Sequence, residues 1–295
     1  MFIFALSIAL ILLILIISTS YYKKSNNSLY DKKRYIDAND FFSKIYVICI
    51  PNRREHIKNL MRELDLKIDI VDALLKDKLN LNELEINKKI TNHCKLNKSK
   101  GKIACHLSHI KAIEMFLEDK NAQTCLIFED DLKLPFDPVE TKERMSDVIN
   151  DLPEYWDIVY FGRCWDKTCS QQEQIGKYLY SKVKPLCRHA YALSRSGAQK
   201  ILDKTLPMDK HNGDQEYLKL INTNELIAFA VHPQLFNQNR EHFGSNLENN
   251  DSLKECTPKP SSIKNVKKEQ NKSISFNIFN PKNYYLNKEP IFNKC

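Results

Sequence analysis

The stretch Thr124-Cys125-Leu126-Ile127-Phe128-Glu129-Asp130-Asp131 runs four apolar residues directly into three consecutive carboxylates. The apolar run predicts a short buried strand that ends at the acids. In open α/β sheets, ligands bind just beyond the carboxyl ends of such strands. Because adjacent carboxylates repel one another, a hard divalent cation with oxygen ligands is their natural occupant. A solvated acidic turn after a core strand is the alternative, and so short a motif does not exclude it.

The segment before this stretch predicts a strand, a helix and a second strand. Residues 45–50 form an apolar run, residues 53–64 carry apolar side chains at helical spacing, and residues 68–71 are typical of a further strand. This order indicates a βαβ unit with a parallel strand pair. Arg53 and Arg54 follow the first strand, at the sheet edge where ligands bind. The helix dipole disfavours cations at a helix start, which favours a ligand-binding role for them over an ordinary basic turn.

Residues 102–120 predict an amphipathic helix that carries Ser108 and His109. Cys105 and His106 precede them, so a Cys-His-x-x-His motif lies on this helix. A structural zinc site needs four ligands, and no second ligand pair stands nearby at a suitable spacing. A histidine packed and hydrogen-bonded between helix and sheet is therefore the favoured interpretation, with zinc as the alternative.

Strand and helix patterns continue to alternate after the acidic stretch, which is typical of an α/β domain. Strands are predicted at residues 156–162, 188–194 and 226–231, and helices at residues 137–151, 195–204 and 215–221. Ser194 can cap the helix that follows it.

Composition narrows the classes of function. The chain has 295 residues, of which 42% are apolar, and a formal net charge of +8. Many of the lysines are scattered among Asn and Ser at the two ends rather than interleaved with aromatic residues, so nucleic-acid binding is not predicted. An anionic substrate such as a nucleotide diphosphate is compatible with the charge. Among nine cysteines, Cys164, Cys169 and Cys187 can pair in an oxidising compartment, with the connectivity open.

The two ends of the chain differ from its middle. Residues 1–22 are almost purely apolar and predict a signal anchor, or a signal peptide if Ser18 to Ser20 is a cleavage site. We expect a single-pass membrane protein whose domain is lumenal, or a secreted one after cleavage, although Lys23 and Lys24 oppose that orientation. A stem at residues 23–43, a main domain at 44–247 and a Lys- and Asn-rich, largely disordered tail at 248–295 are predicted.

Several blocks, taken in order, resemble glycosyltransferase family 25 over about residues 45–247. The blocks are Gly101-x-x-x-Cys105-x-Leu107-Ser108-His109, Leu126-x-Phe128-Glu129-Asp130-Asp131, His189-Ala190-Tyr191-x-Leu193-Ser194, Pro233-x-Leu235-x-x-Gln238 and Ser245-Asn246-Leu247. The family holds bacterial lipooligosaccharide galactosyltransferases and collagen hydroxylysine galactosyltransferases. No block is diagnostic alone, but their shared order is fairly specific.

The resemblance implies a GT-A-type nucleotide-sugar-binding fold, with a mixed, mainly parallel central sheet flanked by helices. It also implies transfer of a hexose, galactose from UDP-galactose, with inversion onto a hydroxyl of a glycan or hydroxylysine-type protein acceptor. A divalent cation, usually Mn²⁺, would sit against the donor diphosphate. The implied metal ligands are Asp131, Asp130 and Glu129, and the implied donor-binding residues are Arg53 and Arg54.

Inversion needs a base near the acceptor hydroxyl. Asp214 is the first candidate and Asp209 the second, because they match the family's acidic positions after the His-Ala-Tyr block. For Asp214, a helix cap is an equally good interpretation. His109, Ser108 and His189 would position the acidic loop without touching the substrate.

A different class of function is a catalytically inactive, membrane-tethered module that binds sugar or protein on the same fold. Such a module would keep the core strands and lose the acids. The sequence keeps all five candidate acids, which favours the enzyme.

Overall fold

The computed structural model describes residues 34–166 and 171–244. Twelve strands lie in these ranges: β1 Lys44–Cys49, β2 Asp69–Asp72, β3 Thr124–Glu129, β4 Leu132–Lys133, β5 Ile158–Gly162, β6 Trp165–Asp166, β7 Glu173–Gln174, β8 Leu179–Ser181, β9 Pro185–Leu186, β10 Ala190–Ser194, β11 Ala228–Val231 and β12 Asn237–Gln238. The α-helices there are α1 Ala38–Phe41, α2 Arg54–Glu63, α3 Leu81–Ile86, α4 Asn92–Asn97, α5 Lys100–Glu118, α6 Pro138–Asp151, α7 Arg195–Thr205, α8 Gly213–Asn222 and α9 Arg240–Phe243.

Eight strands form one mixed sheet in the order β2-β1-β3-β10-β5-β11-β8-β7. Strands β2, β1 and β3 are parallel to one another, and β5 is parallel to β11. Strand β10 lies antiparallel between β3 and β5, so β3 and β5 point the same way. The predicted α/β fold with a mixed, mainly parallel sheet and flanking helices is confirmed, as is the predicted βαβ unit.

The apolar run of β3 is explained by helices on both faces of the sheet. Leu126 and Phe128 face one core with α2 and α6. Cys125 and Ile127 face the other core with α5, α7 and α8. A strand covered on both faces reads as a continuous apolar run rather than as an alternation, and all four side chains are fully buried.

The domain begins before residue 44. Helix α1 lies within the segment predicted as a stem, and both Ala38 and Phe42 are buried in the core. The Ile36 amide donates to Ser146 Oγ at 2.8 Å, which ties this segment to α6. Residues 34–43 are therefore part of the folded domain, because their apolar side chains cover the edge of the sheet's core.

The predicted N-terminal anchor at residues 1–22 and the predicted tail at 248–295 lie outside the described residues. None of the helices within residues 34–166 and 171–244 is long and apolar enough to cross a membrane.

Candidate active site

A cavity of about 550 Å³ opens at the sheet edge where β1 and β3 end. Glu129, Asp130 and Asp131 all line this cavity, as do residues from α5, α8 and the segment before β10. Because β10 is antiparallel to β3, its first residues lie beside the last residues of β3. The topology thus brings segments that are far apart in the sequence to one cavity.

Asp130 is held by partners within the protein. Its Oδ1 accepts from Arg53 Nη1 at 2.8 Å, and its Oδ2 accepts from the Ile50 amide at 2.7 Å. The Arg53 guanidinium is buried, stacks on Phe243 at 4.7 Å, and lies 4.0 Å from Asp131. Both oxygens of Asp130 are therefore engaged in joining β3 to the end of β1, and Arg53 is engaged with them.

Arg54, the other predicted donor-binding residue, lies away from the cavity wall. Its side chain forms an ion pair with Asp72 at the end of β2 and is 43% exposed. The structure therefore brings Arg53 to the predicted site but not Arg54.

Glu129 and Asp131 share a single amide donor. Gln238 Nε2 donates to Glu129 Oε2 at 3.2 Å and lies 3.3 Å from Asp131 Oδ2. Burial raises the pKa of Glu129. Burial, reinforced by Glu129 and Asp130, raises the pKa of Asp131 to about 7. The surroundings thus stabilise the ionised form of each carboxyl group poorly, and a hard cation bound between them would stabilise it.

His109 connects Glu129 to the core below it. Its Nε2 lies 3.0 Å from Glu129 Oε1, and its Nδ1 lies 2.9 Å from the Tyr191 hydroxyl. Burial and the positive charge of Arg188 hold the pKa of His109 well below its ordinary value, so the ring is neutral. An ionised Glu129 only accepts hydrogen bonds, so Nε2 then carries the proton and Nδ1 accepts from Tyr191. His109 therefore joins Glu129 to Tyr191 by hydrogen bonds.

The other two predicted positioning residues stabilise the surroundings. Ser108 Oγ donates to the Ala104 carbonyl at 2.7 Å and accepts from the Leu74 amide at 2.9 Å, which fixes the loop after β2. His189 Nε2 lies 3.0 Å from the Phe236 carbonyl, and His189 does not line the cavity. Ser108 thus shapes the cavity wall, whereas His189 anchors the segment that leads to β12.

The two candidate bases separate in space. Asp214 lines the cavity in the first turn of α8, where its Oδ2 accepts from the Cys187 amide at 3.3 Å. Asp209 lies outside the cavity and accepts from Thr91 Oγ1 at 2.6 Å, which ties it to the start of α4. Asn212 is the N-cap of α8, so the N-cap interpretation of Asp214 is wrong. Asp214 still contacts the first turn, where its Oδ1 accepts from the Gln215 amide at 2.9 Å.

Arg188 lines the cavity beside Asp214 although it is buried. Its guanidinium stacks on the Tyr217 ring at 4.6 Å, and its Nη1 has no hydrogen-bond partner. A Cβ at position 213 would lie 2.2 Å from Arg188 Nη2, so Gly213 is the residue that leaves room for the guanidinium.

A second donor set adjoins the acids. The Cys105 thiol, a His109 ring nitrogen and a Glu129 oxygen all lie within 4.8 Å of one another. A zinc ion bound by Cys105 and His109 would thus have Glu129 of β3 as a third ligand. The spacing of residues within the helix did not predict this ligand. Burial raises the pKa of Cys105 to about 11, so a soft cation would first have to displace the thiol proton.

A disulfide joins Cys164 to Cys187 next to the cavity. Cys187 is the residue whose amide holds Asp214, and Cys164 Sγ lies 3.2 Å from Gln238 Oε1. The disulfide therefore connects the segment that contacts Asp214 to the segment that contacts Gln238. Cys169, the other predicted partner, lies outside the described residues.

Sequence reasoning did not assign Gln238 or Arg188 to the site. Gln238 stands in one of the family blocks, and strand β12 pairs it with Leu132, one residue after the acids. Arg188 directly precedes the His-Ala-Tyr block, and this neighbourhood is the sequence signal that could have pointed to it as a site residue. Neither could be assigned without the antiparallel pairings that place these segments next to β3 and β4.

Known proteins with similar sequences include active and inactive transferases. Procollagen galactosyltransferase 1-A of Xenopus laevis is 25% identical over 226 residues, which cover 66% of this chain and 35% of that protein. Inactive glycosyltransferase 25 family member 3 of Homo sapiens is 25% identical over 228 residues, which cover 66% and 36%. The chain spans about a third of the length of these relatives.

Two solved structures show a distant likeness. A197 from STIV is 14% identical with a TM-score of 0.36, over 65% of this chain and 81% of that chain. The apo-form glycosyltransferase GlyE of Streptococcus pneumoniae TIGR4 is 13% identical with a TM-score of 0.31, over 63% and 44%.

The family model described as glycosyltransferase family 25 (LPS biosynthesis protein) matches residues 42–215, more than half of the chain. The match includes the three acids, the His109 helix, Arg188 and Asp214. It confirms the resemblance that the sequence blocks indicate. The chain belongs to glycosyltransferase family 25.

Proposed function

We propose that this chain is a metal-dependent, inverting galactosyltransferase that uses UDP-galactose and a hydroxyl of a glycan or of a hydroxylysine-type protein acceptor. The observation that carries the proposal is one cavity that holds two kinds of carboxylate. Glu129 and Asp131 form a close pair with raised pKa values, whereas Asp214 stands on a separate helix. The first arrangement suits a cation, and the second suits a base.

The residues present fit a hard divalent cation such as Mn²⁺. Glu129 and Asp131 would hold it, because Gln238 is the one amide donor between them and Arg53 is engaged with Asp130. Asp130 would serve through its ion pair rather than by direct ligation. When bound, the cation supplies Lewis-acid stabilisation to the departing diphosphate. The Cys105, His109 and Glu129 set is the competing site for a softer cation.

Asp214 would accept the proton of the acceptor hydroxyl, because it lines the same cavity as the Glu129–Asp131 pair. The acceptor oxygen forms a bond to the anomeric carbon, and the bond from that carbon to the diphosphate oxygen breaks. The electron pair of the broken bond leaves with the diphosphate, and the proton stays on Asp214. The Cys187 amide keeps the carboxylate oriented toward the cavity during this step.

A screen of UDP-hexoses tests the function directly. The full chain is incubated with each donor and either Mn²⁺, Zn²⁺ or a chelator, and donor hydrolysis is measured before acceptors are added. We expect hydrolysis of UDP-galactose that needs Mn²⁺ and is lost in Asp131→Asn. Asp147→Asn, a change on α6 outside the cavity at a half-buried carboxylate, is the matched control. Wild-type turnover by Asp131→Asn would refute the metal assignment.

An inactive sugar- or protein-binding module is the second candidate. It is favoured by the relatives named inactive, which are as similar to this chain as the named galactosyltransferases. It is opposed by the retained Glu129, Asp131 and Asp214 in one cavity. Binding of UDP without metal-dependent hydrolysis or transfer of any hexose would support this candidate.

The disulfide supports an oxidising setting for the domain, since such bonds are rare in reducing compartments. We therefore propose a lumenal or extracellular environment for the domain, with residues 1–22 as its membrane anchor or signal peptide. Alkylation of cysteines in freshly isolated cells tests this, because a reduced Cys164 would contradict it.

A further inference from the structure

Arg188 is a buried cation without a paired anion. Its side chain is almost inaccessible, with 4% of the residue exposed, and its Nη1 has no hydrogen-bond partner. Throughout residues 34–166 and 171–244, no carboxylate lies within 4.0 Å of the guanidinium. Burial of an unpaired charge is unfavourable, so such a group is retained where a ligand supplies the missing charge.

The fold holds this cation at the edge of the acidic site. Arg188 comes just before β10, and the neighbouring His189 carbonyl accepts from the Glu129 amide at 2.8 Å. The Tyr217 ring supports the guanidinium from one side, and Gly213 leaves the space it occupies. Residues of β3, of α8 and of the segment before β10 therefore fix the position of Arg188. A binding group needs such a fixed position, whereas a cation without a function does not.

Arg53, the predicted donor-binding arginine that lines this cavity, already has an ion-pair partner. Arg53 Nη1 is 2.8 Å from Asp130 Oδ1, so a ligand would have to compete with a buried ion pair. Arg188 offers an unused donor in the same cavity. A guanidinium presents several N–H groups in one plane and matches the oxygens of a phosphate.

We propose that Arg188 binds a phosphate oxygen of the nucleotide-sugar diphosphate and stabilises the negative charge that gathers there when the sugar leaves. This inference rests on the proposed function and adds to it a residue for the leaving group. Arg188 and the Glu129–Asp131 pair would then hold the diphosphate from two sides, one by hydrogen bonds and the other through the cation.

Inorganic pyrophosphate is the probe that tests Arg188 apart from sugar transfer. Its affinity for the full chain is measured by calorimetry in the presence of a chelator, so that no metal contributes. We compare wild type with Arg188→Met, Arg188→Lys and the exposed control Arg62→Met. We expect Arg62→Met to bind as wild type does, and Arg188→Met to bind about 30-fold more weakly, the loss of a charge-assisted contact. Arg188→Lys should fall between them.

Thermal melting of the unliganded variants separates binding from a structural role. If Arg188 mainly supports Tyr217, Arg188→Met will lower the melting temperature and leave pyrophosphate affinity unchanged. The proposal expects the reverse, because the change removes an unpaired buried charge. Should Arg188→Met fail to fold, Gly213→Ala is measured in the same way, since its Cβ displaces the guanidinium.

Two results of the binding experiment overturn the proposal: no pyrophosphate binding by wild type, or equal binding by wild type and by Arg188→Met or Gly213→Ala. Failure of the proposed function looks different. Pyrophosphate binding that depends on Arg188, without turnover of any UDP-hexose, would keep the anion site and reject the transferase. Normal turnover by Arg188→Met would keep the transferase and reject the site.

Discussion

At the scale of single residues, the three consecutive acids have three different surroundings. Asp130 is paired with Arg53, Asp131 faces the cavity near Gln238, and Glu129 is held between Gln238 and His109. The sequence predicts that carboxylates end the strand, because acids after an apolar run leave the core. It does not predict which acid is free, because each partner comes from a distant segment of the chain.

Removal of Asp130 should act mainly on stability. We expect Asp130→Ala to lower the free energy of unfolding by about 3 kcal/mol, because it removes the 2.8 Å carboxylate partner of the buried Arg53 guanidinium. Urea unfolding measures this, and the combined Arg53→Met and Asp130→Ala variant should recover part of the loss. Asp147→Ala, which breaks a more exposed pair with Lys177, should cost less than about 1 kcal/mol. Equal unfolding midpoints for the two single variants would contradict a structural role for Asp130.

His106 should make the folded state sensitive to acid. It is fully buried, with its Nε2 3.3 Å from the Thr205 carbonyl. Burial and the charge of Arg188 lower the pKa of His106 from 6.5 to about 3. Between these values the unfolded chain binds a proton that the folded chain does not, so stability falls as the pH falls.

The expected contribution of His106 approaches about 1.4 kcal/mol per pH unit between pH 6 and pH 4. His106→Gln removes this group, so its free energy of unfolding should depend less steeply on pH over that range. Urea unfolding at several pH values measures the slope, with the exposed His93→Gln as the control. Identical slopes for His106→Gln and wild type would show that His106 does not titrate in this way.

At the scale of elements, the start of α8 decides which acid enters the cavity. Asn212 and Gln215 form the capping box, so Asp214 is not the N-cap. Its Oδ1 accepts from the Gln215 amide at 2.9 Å, and its Oδ2 accepts from the Cys187 amide. The sequence predicts a helix beginning close to this point and an acid on either side of Gly213. The assignment of the cap depends on the local backbone, which the residue types alone leave open.

Asp214→Asn should lower kcat by about 10²- to 10⁴-fold, the usual contribution of a general base, and leave donor binding unchanged. Single-turnover transfer and UDP titration measure the two effects separately. Asp209→Asn is the matched control, because Asp209 binds Thr91 outside the cavity. A similar loss of kcat in both variants would remove Asp214 from the role of base.

At the scale of the whole molecule, the Cys164–Cys187 disulfide connects the two halves of the site. It closes a loop with a sequence separation of 23 residues. We expect the double change to serine to lower the free energy of unfolding by roughly 3 kcal/mol and also to weaken turnover, because Gln238 and Asp214 both lose support. Reduction of the wild type should reproduce the loss of turnover and have no effect on the double variant. Full turnover after complete reduction would show that the disulfide serves stability alone.

The alternation of strands and helices predicts the layers of the fold but not the order of its strands. Residues 188–194 are a clear strand in the sequence, yet nothing local shows that β10 pairs with β3 on one side and β5 on the other. The same limit applies to the site. The sequence assigns to the site the residues that follow the carboxyl ends of predicted strands, such as Arg53 and Asp131, whereas Arg188 and Gln238 depend on antiparallel pairings between distant segments.

The inserted strand β10 also has a consequence for synthesis of the chain. Strand β3 is complete once residue 129 is made, but its hydrogen-bonding partner on one side lies at residues 190–194. Until then an apolar strand edge stays open, and open edges of this kind pair with other chains. We therefore expect fragments that end before residue 190 to aggregate. For the same reason, the open edge of β3 needs protection on the ribosome until β10 has emerged.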